Sequence, residues 1–469
     1  MNRWCSNLML VAAWAVAMPL CAQEPGAGRA KKRDAARTAM QKAMDETNRA
    51  AQSRTEAAAV AKTFIVRGAE PNPVSGIESS SGTRPRLTLA YLSRLVLENH
   101  PLLQRDLARI ELAGGQALQK GLYPNPRFDT NNPQVFNGKN SMFNVGFQQE
   151  IVVKGKLRLD RAAALRAQQQ AEFGLVQDRY DLLAQVRGQF YTTLAAEYRI
   201  DVLNQILKIT SASVATANER VKGAIGDQTE VLLLTIDNDR ARADLANAVQ
   251  VLAGERQQLA AIVGFPGLVQ EKVIGSLTAS PPLFDEPFME RFVTTENVQV
   301  QIAKLDIDRN KILLKRAEAE PYPNPTLGPA YNYSLTKGQE QFWMNVVFPI
   351  PVSNRNQGNI ISARANVSGS TESLGTLQLD LLRQLADAFS IHLGALAQAG
   401  QYKTQIIPDA RESLRLAKSG YEAGLFAFSV YLQAQRTVID ATKEYVDILE
   451  RVWTTAATVS GLLQMDQFP

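Results

Sequence analysis

The chain has 469 residues, with 51 basic and 46 acidic side chains and a net charge of +5. That length exceeds a usual single domain and calls for several domains or one elongated repeat architecture. So small and diffuse a surplus gives no electrostatic footprint for nucleic acid. Two histidines, His100 and His392, and two cysteines, Cys5 and Cys21, build neither a metal cluster nor a Ser-His-Asp triad, so neither an enzyme nor a cofactor is expected.

Arg3, the charge-free apolar run from Leu8 to Leu20 and the small Ala22 before Gln23 predict a secretory signal peptide over residues 1–22. Cleavage after Ala22 leaves a mature chain without cysteine, and therefore without disulfides. The alternative is lipidation of Cys21, although Pro19 and Leu20 fit poorly the small residues that usually precede such a cysteine. Residues 23–85 are rich in Ala, Arg and Lys, then pass through Pro71, Pro73, Gly76 and the run Ser79 to Gly82. They read as a flexible, partly helical extension. No later segment approaches the roughly 20 consecutive apolar residues of a membrane-spanning helix, so any passage through a membrane must use strands.

The remainder falls into two repeats, 86–267 and 268–469. Gly-Leu-Tyr-Pro-Asn-Pro at Gly121–Pro126 recurs as Glu-Pro-Tyr-Pro-Asn-Pro at Glu320–Pro325, with Tyr123 and Tyr322 199 positions apart. Phe190 and Leu194 match Phe389 and Leu393 at the same offset, while Thr229 and Leu232 match Ser429 and Leu432 at 200. Offsets held so closely over such a distance indicate an internal duplication.

Each repeat predicts the same order: a helix, a proline-rich break, two strand-like runs, and two very long helices joined by a turn. The first helix takes Thr88 as N-cap, resumes after Pro101 and ends before Pro124; its counterpart spans Glu286 to Glu320. Phe143, Val145 and Phe147 alternate with polar or small residues, and Asn137-Gly138 supplies a turn. Leu327, Tyr331, Tyr333 and Leu335 alternate likewise, followed by Lys337-Gly338 and a returning run from Phe342 and Trp343 to Ile350. Two strands alone are marginal in water, so four per chain require other chains to close a sheet.

No proline interrupts Pro133 to Pro266, and Lys156 to Lys222 predicts one helix of ~100 Å at about 1.5 Å per residue. Leu203, Leu207 and Val214 on one helix, with Leu245, Val249, Leu252, Leu259 and Val263 on its return, follow coiled-coil spacing. Val438, Tyr445, Leu449 and Val452 repeat it, and Pro408 predicts a kink. At the turns, Gly226 and Gly424 suit a helix end, and Thr229 and Ser429 suit the following N-caps.

The tandem plan, the two Tyr-Pro-Asn-Pro segments, the Phe348–Gly358 run Phe-Pro-Ile-Pro-Val-Ser-Asn-Arg-Asn-Gln-Gly and the paired tips resemble the TolC-type outer membrane efflux family, closest in flavour to cation efflux ducts. The resemblance covers about Arg86 to Met465. It implies a mainly α fold with a small β part: long helical hairpins forming a trimeric periplasmic α-barrel, and four strands per chain in a 12-stranded outer-membrane β-barrel.

The barrel strands would carry Phe143, Val145, Phe147, Tyr331, Tyr333, Phe342 and Trp343, some at the lipid interface. The implied function is the exit duct of a tripartite efflux system, with a homotrimer, a periplasmic adaptor, an inner-membrane pump and outer-membrane lipid as partners. Carried over by position, Arg220, Gly223, Ala224, Thr229 and Leu232, with Tyr421, Gly424, Ser429 and Leu432, lie in or beside the adaptor-contacting tips.

Ala224 stands where the family usually has glycine, so the first tip is expected to end its helix through Gly223 or Gly226 instead. The best-known member has acids at its periplasmic gate where this chain has Val430 and Gln433. Asp227 and Glu230 are the substitutes to consider, beside their plainer reading as exposed turn charge and helix N-terminal acids. A type I protein-secretion duct shares this architecture. A periplasmic coiled-coil scaffold is the other alternative, and release by high salt without detergent would favour it.

Overall fold

A helix continues until something removes its hydrogen bonds or its backbone angles, and this chain meets such residues rarely. The computed structural model describes residues 87–130, 142–224, 226–267, 272–334 and 337–468. The first repeat runs α1 (Leu89–Asn99), α2 (Pro101–Lys120), β1 (Arg127–Asp129), β2 (Met142–Glu150), α3 (Lys156–Lys222) and α4 (Gln228–Val263). The second runs α5 (Glu286–Thr295), α6 (Val298–Ala319), β3 (Thr326–Ser334), β4 (Gln339–Val347), α7 (Gln357–Gln401), α8 (Ile407–Glu422) and α9 (Phe428–Leu462). The signal peptide, the extension, the Asn137-Gly138 turn and Leu335 lie outside the described residues.

The predicted helix Lys156–Lys222 forms as one piece of 67 residues. Near the start, Thr88 Oγ1 accepts from the Tyr91 amide at 3.3 Å, and His100 Nδ1 accepts from the Leu102 amide at 3.2 Å, capping α2 ahead of Pro101. The single helix expected over Glu286–Glu320 is instead broken at Glu296-Asn297. Asn297 Oδ1 accepts from the Gln299 amide at 2.9 Å and its Nδ2 donates to Leu462 O at 3.0 Å, so a side-chain cap does what His100-Pro101 does in the first repeat. At Pro408, where an N–H is missing, the strain is taken up just upstream by a π-helical turn, Tyr402–Ile406.

The main core lies where α1, α3, α4 and α9 meet the segment around Val273. Trp453 is buried there, stacked on Tyr191 with centroids 4.3 Å apart, and its Nε1 donates to Leu277 O at 2.8 Å. Two predicted seams hold at Leu203, Leu259, Val263, Leu449 and Val452, all buried. Val249 departs, being 46 % exposed; Ala241 and Ala248 face α3 instead, where their small side chains let the helices approach. Among the described residues no helix is long and apolar enough to cross a membrane.

The four strands form one antiparallel sheet in the order β1-β2-β3-β4, so the repeats are joined through β2 and β3. The duplication persists in the register: Arg127 pairs with Gln148 in the first hairpin and Thr326 with Val347 in the second, each partner displaced by 199 positions. Phe128, Phe147, Val145, Phe143, Tyr331, Tyr333 and Phe342 share one face by this register; Trp343 lies on the other, opposite Ala330 and beside a row of asparagines and glutamines. Every residue of β4 is exposed.

The second Tyr-Pro-Asn-Pro is bound at the junction of sheet and helices. Asn324 Oδ1 accepts from the Val153 amide at 3.2 Å and from Lys156 Nζ at 3.1 Å, while its Nδ2 donates to Glu150 Oε1 at 2.7 Å. Lys156 is buried at the first turn of α3 and also donates to Tyr322 O at 2.7 Å. Asn125 of the first motif is exposed.

Candidate functional site at the helix tips

The far ends of the long helices carry two turns, 223–227 between α3 and α4, and 423–427 between α8 and α9. Both wrap alike. In the first, Gly223 N bonds to Glu219 O, Ala224 N to Val221 O and Gly226 N to Arg220 O at 3.0–3.1 Å. In the second, Ala423 N bonds to Ser419 O, Gly424 N to Tyr421 O and Phe426 N to Gly420 O at 3.0–3.2 Å.

Gly424 sits at φ +73°, and at the matching position Ala224 itself takes φ +59°. Gly223 is the C-cap of α3, as expected, but at φ −77°; the left-handed position falls to the alanine, which accepts a backbone that costs about 1 kcal/mol relative to glycine. Gly226 is required for space, because a Cβ there would lie 3.1 Å from Arg220 Cβ and from Val221 N. Gly420 is the reciprocal case, where a Cβ would meet the Phe426 ring at 2.2 Å.

The N-caps are also displaced from the predicted residues. Asp227 caps α4, its Oδ1 accepting from the Thr229 amide at 3.2 Å, and Thr229 lies in the first turn. Ala427 is the capping position of α9 and offers no side-chain bond, leaving Ser429 exposed inside the helix. Sequence reading favoured the hydroxyls, although Asp227 is an equally good cap type.

Five residues meet across the repeats at the tips. The Tyr421 hydroxyl donates to Glu230 Oε2, and the Arg220 guanidinium lies 4.4 Å from the Tyr421 ring centroid. Tyr421 stacks on Tyr431 with centroids 5.5 Å apart, and the Tyr431 hydroxyl is 2.8 Å from Ser213 Oγ. Burial, then the bond to Glu230 and its charge, push the Tyr421 phenol up to about 12. Tyr431, Ser213 and the buried Gln435, whose Oε1 accepts from Ser213 Oγ at 3.4 Å, were not singled out from the sequence; the small and polar residues of a seam are its faintest signal.

Further along, Arg436 forms a two-pronged bond with Asp237 at 2.9 and 3.0 Å, and Lys443 bonds Asp244 at 2.5 Å; in each pair the partners are 199 positions apart. Outward, the tips expose apolar side chains: Leu425 is 78 % exposed and Leu232 56 %, with Phe426 and Val430 about half exposed. Leu432 is buried among Ala217, Val231 and Leu234 instead. Gly223, Ala224, Gly424 and Asp227 are exposed, and Arg220, Glu230 and Tyr421 half-buried. The arrangement offers bonding and packing. Among the described residues no group of three or more His, Cys, Asp or Glu is placed to hold a metal. His392 is buried with Nδ1 3.2 Å from Val452 O, and burial lowers its pKa.

Residues 296–463 match the family model described as outer membrane efflux protein. The chain is 24 % identical over 379 residues to the cobalt-zinc-cadmium resistance protein CzcC of Cupriavidus metallidurans, spanning 80 % of this chain and 90 % of that one. Its fold is similar to the outer membrane protein VceC of Vibrio cholerae, with TM-score 0.67 and 17 % identity over 80 % of this chain and 96 % of that one. It is similar also to CusC, described as undergoing transmembrane channel formation, with TM-score 0.70 and 15 % identity over 84 % and 98 % of the two chains. The second repeat thus matches the outer membrane efflux protein model, and the fold of the two repeats together is similar to that of outer-membrane channels.

Proposed function

We propose that this protein is the outer-membrane exit duct of a tripartite system that exports divalent metal cations. Efflux through the outer membrane is supported by the likeness to outer membrane efflux proteins, which work as trimers with a periplasmic adaptor and an inner-membrane pump. The metal cargo is carried by one observation, the similarity to a cobalt-zinc-cadmium resistance protein over nine-tenths of that protein's length.

In this reading three copies join their sheets into a barrel, lipid-facing on the Phe147–Tyr331–Phe342 side and wet on the Asn144–Asn332 side. The leader 1–22 directs export. The exposed apolar tips, Leu232 on one and Leu425 and Phe426 on the other, receive the adaptor, with Arg220, Gly223, Ala224, Thr229, Tyr421, Gly424, Ser429 and Leu432 in or beside the contact. A conduit holds its cargo only in passing, so selection rests with pump and adaptor. Asp227 and Glu230 contribute negative charge at the periplasmic mouth.

Deleting the gene in its host tests this reading. Tolerance to cobalt, zinc or cadmium should fall and cell-associated metal should rise, both restored by the intact gene. Unchanged metal tolerance together with loss of an exported polypeptide would replace it with the protein-secretion duct.

A further inference from the structure

On the wet face of the sheet one rung crosses all four strands: Asp129 is opposite Gly146, Gly146 opposite Ala330, and Ala330 opposite Trp343. Strands lie about 4.8 Å apart, so the carboxylate at one end and the indole at the other are ~14 Å from each other. Between them the floor is low. A Cβ on Gly146 would crowd Ala330 Cβ at 3.1 Å, and Gly328 continues the floor two residues along β3. Amides wall it on both sides: Asn144 opposes Asn332, and Gln148 and Asn345 flank Gly328. The trough encloses about 440 Å³, within the roughly 300–1,000 Å³ of small-molecule sites.

A face turned to water calls for polar side chains, and asparagine and glutamine meet that need by themselves. It does not call for an indole. Trp343 is nevertheless 60 % exposed there, on the side of the sheet away from Phe147, Tyr331 and Phe342.

Distances and bonding types select the ligand class. A single cation would need the indole within about 6 Å and the carboxylate in the same grasp, and the two stand at opposite ends of the rung. Arg127, on the same face two residues before Asp129, also cancels its charge. A chain of sugar rings has the right extent: its C–H faces pack on an indole, and its hydroxyls both donate and accept, as side-chain amides do. Gln148 Nε2 donates to Asp129 Oδ2 at 2.9 Å, holding an acceptor at the far end. The Asn332 oxygen accepts from no donor in the chain, so a hydroxyl that reaches this amide gives an acceptor its first partner.

We propose that this trough binds a soluble neutral oligosaccharide, with one sugar ring stacked on Trp343 and the next ones bonded by Asn332, Gln148 and Asp129. The proposal goes beyond the metal cargo and takes from the reading above only that this face meets water. Three copies would set three such subsites around one lumen, midway along the strands.

Tryptophan fluorescence tests it, in protein purified in a polyoxyethylene detergent, which carries no sugar of its own. Subtracting the emission of Trp343→Phe removes buried Trp453 and the leader's Trp4 and Trp14. Maltotriose should change the difference emission saturably, and choline chloride at equal concentration should not. Asn332→Ala and Gln148→Ala, each paired with its own Trp343→Phe control, should raise the half-saturating concentration roughly three- to tenfold, the weight of one hydrogen bond. Should these fail to assemble, Gly328→Ala raises the floor with its Cβ at an ordinary 3.5 Å from Asn345 Cβ, and should weaken binding in the same direction.

No saturable change with maltotriose, in protein whose Trp343 is quenched by acrylamide, overturns the subsite and leaves the duct standing. A response to choline instead, or a maltotriose response that every trough variant leaves intact, also overturns it. A change with lipopolysaccharide alone, whose sugars are tethered in the outer leaflet, overturns the choice of a soluble ligand. Quenching of Trp343 by brominated lipid and not by acrylamide removes the wet-side orientation, and with it the barrel reading itself.

Discussion

Tyr421 in the second tip donates its hydroxyl proton to the carboxylate of Glu230 in the first, so one hydrogen bond ties together two hairpins that are 191 residues apart in sequence. A bond to a charged acceptor in a half-buried place contributes about 1.5–3 kcal/mol. Tyr421→Phe keeps the ring stacked on Tyr431 and removes only the bond. We expect amide exchange to speed up in both tips while the core around Trp453 stays protected, read by hydrogen-exchange mass spectrometry. Acceleration confined to the second tip would mean that the bond does not couple them.

The proposed charge at the periplasmic mouth involves the same Glu230 carboxylate together with Asp227. Asp227→Asn with Glu230→Gln should lower cation selectivity in single-channel recordings and weaken block by multivalent cations. Recordings indistinguishable from the unsubstituted channel would remove both residues from the constriction.

Ala224 holds a left-handed backbone that glycine adopts freely. Ala224→Gly should stabilise the first tip by about 0.5–1 kcal/mol, and Gly424→Ala should destabilise the second by a similar amount. Protease nicking rates at the two turns would report the opposite signs; equal effects would contradict the backbone argument.

Lys156 satisfies Tyr322 O and Asn324 Oδ1 from a buried position. Lys156→Met leaves Tyr322 O without this donor and Asn324 Oδ1 with only the Val153 amide, a loss of about 1–3 kcal/mol. The urea midpoint of the detergent-solubilised protein should fall accordingly, and an unchanged midpoint would show that water replaces the ammonium.

The junction of α2 and α3 predicts a pH effect. Burial pushes the Asp178 carboxyl up to about 6, aided by the bond and charge of buried Asp106 and by the charge of Asp181, with Arg105 opposing. The folded chain thus binds more protons than the unfolded one between the ordinary value of 3.8 and about 6. Stability from this site is greatest below that window, declines as pH rises through it and is level above. Asp178→Asn should flatten the decline and add at most about 1 kcal/mol at pH 7.5, since solvent screens a group this exposed. Thermal melts across pH 4–8 measure it, and a parallel pair of curves would count against the assignment.

Long-period features were legible in the sequence. The bounds of α3 are set by the absence of proline and by glycines at each end, and the β3–β4 hairpin by alternation around Lys337-Gly338. What escaped is decided by residues distant in sequence or by competition between neighbours. A lysine at the start of an amphipathic helix reads as solvated, and only the carbonyls near position 322 make Lys156 a buried donor. Asn297 ends a helix without any proline to announce it. Asp227 displaced Thr229 as cap because both are good cap types and the helix begins two residues earlier, where the Asp227 carboxylate accepts from the Thr229 amide.

The ladder of Asp237 with Arg436 and Asp244 with Lys443 places a constraint on how such a chain can change length over generations. Adding a heptad to the base of one hairpin alone would push its turn ~10 Å past its neighbour and take each acid away from its own base. Lengthening or shortening must then happen twice, at matched places in both halves, so insertions within the hairpins of natural variants should come in pairs.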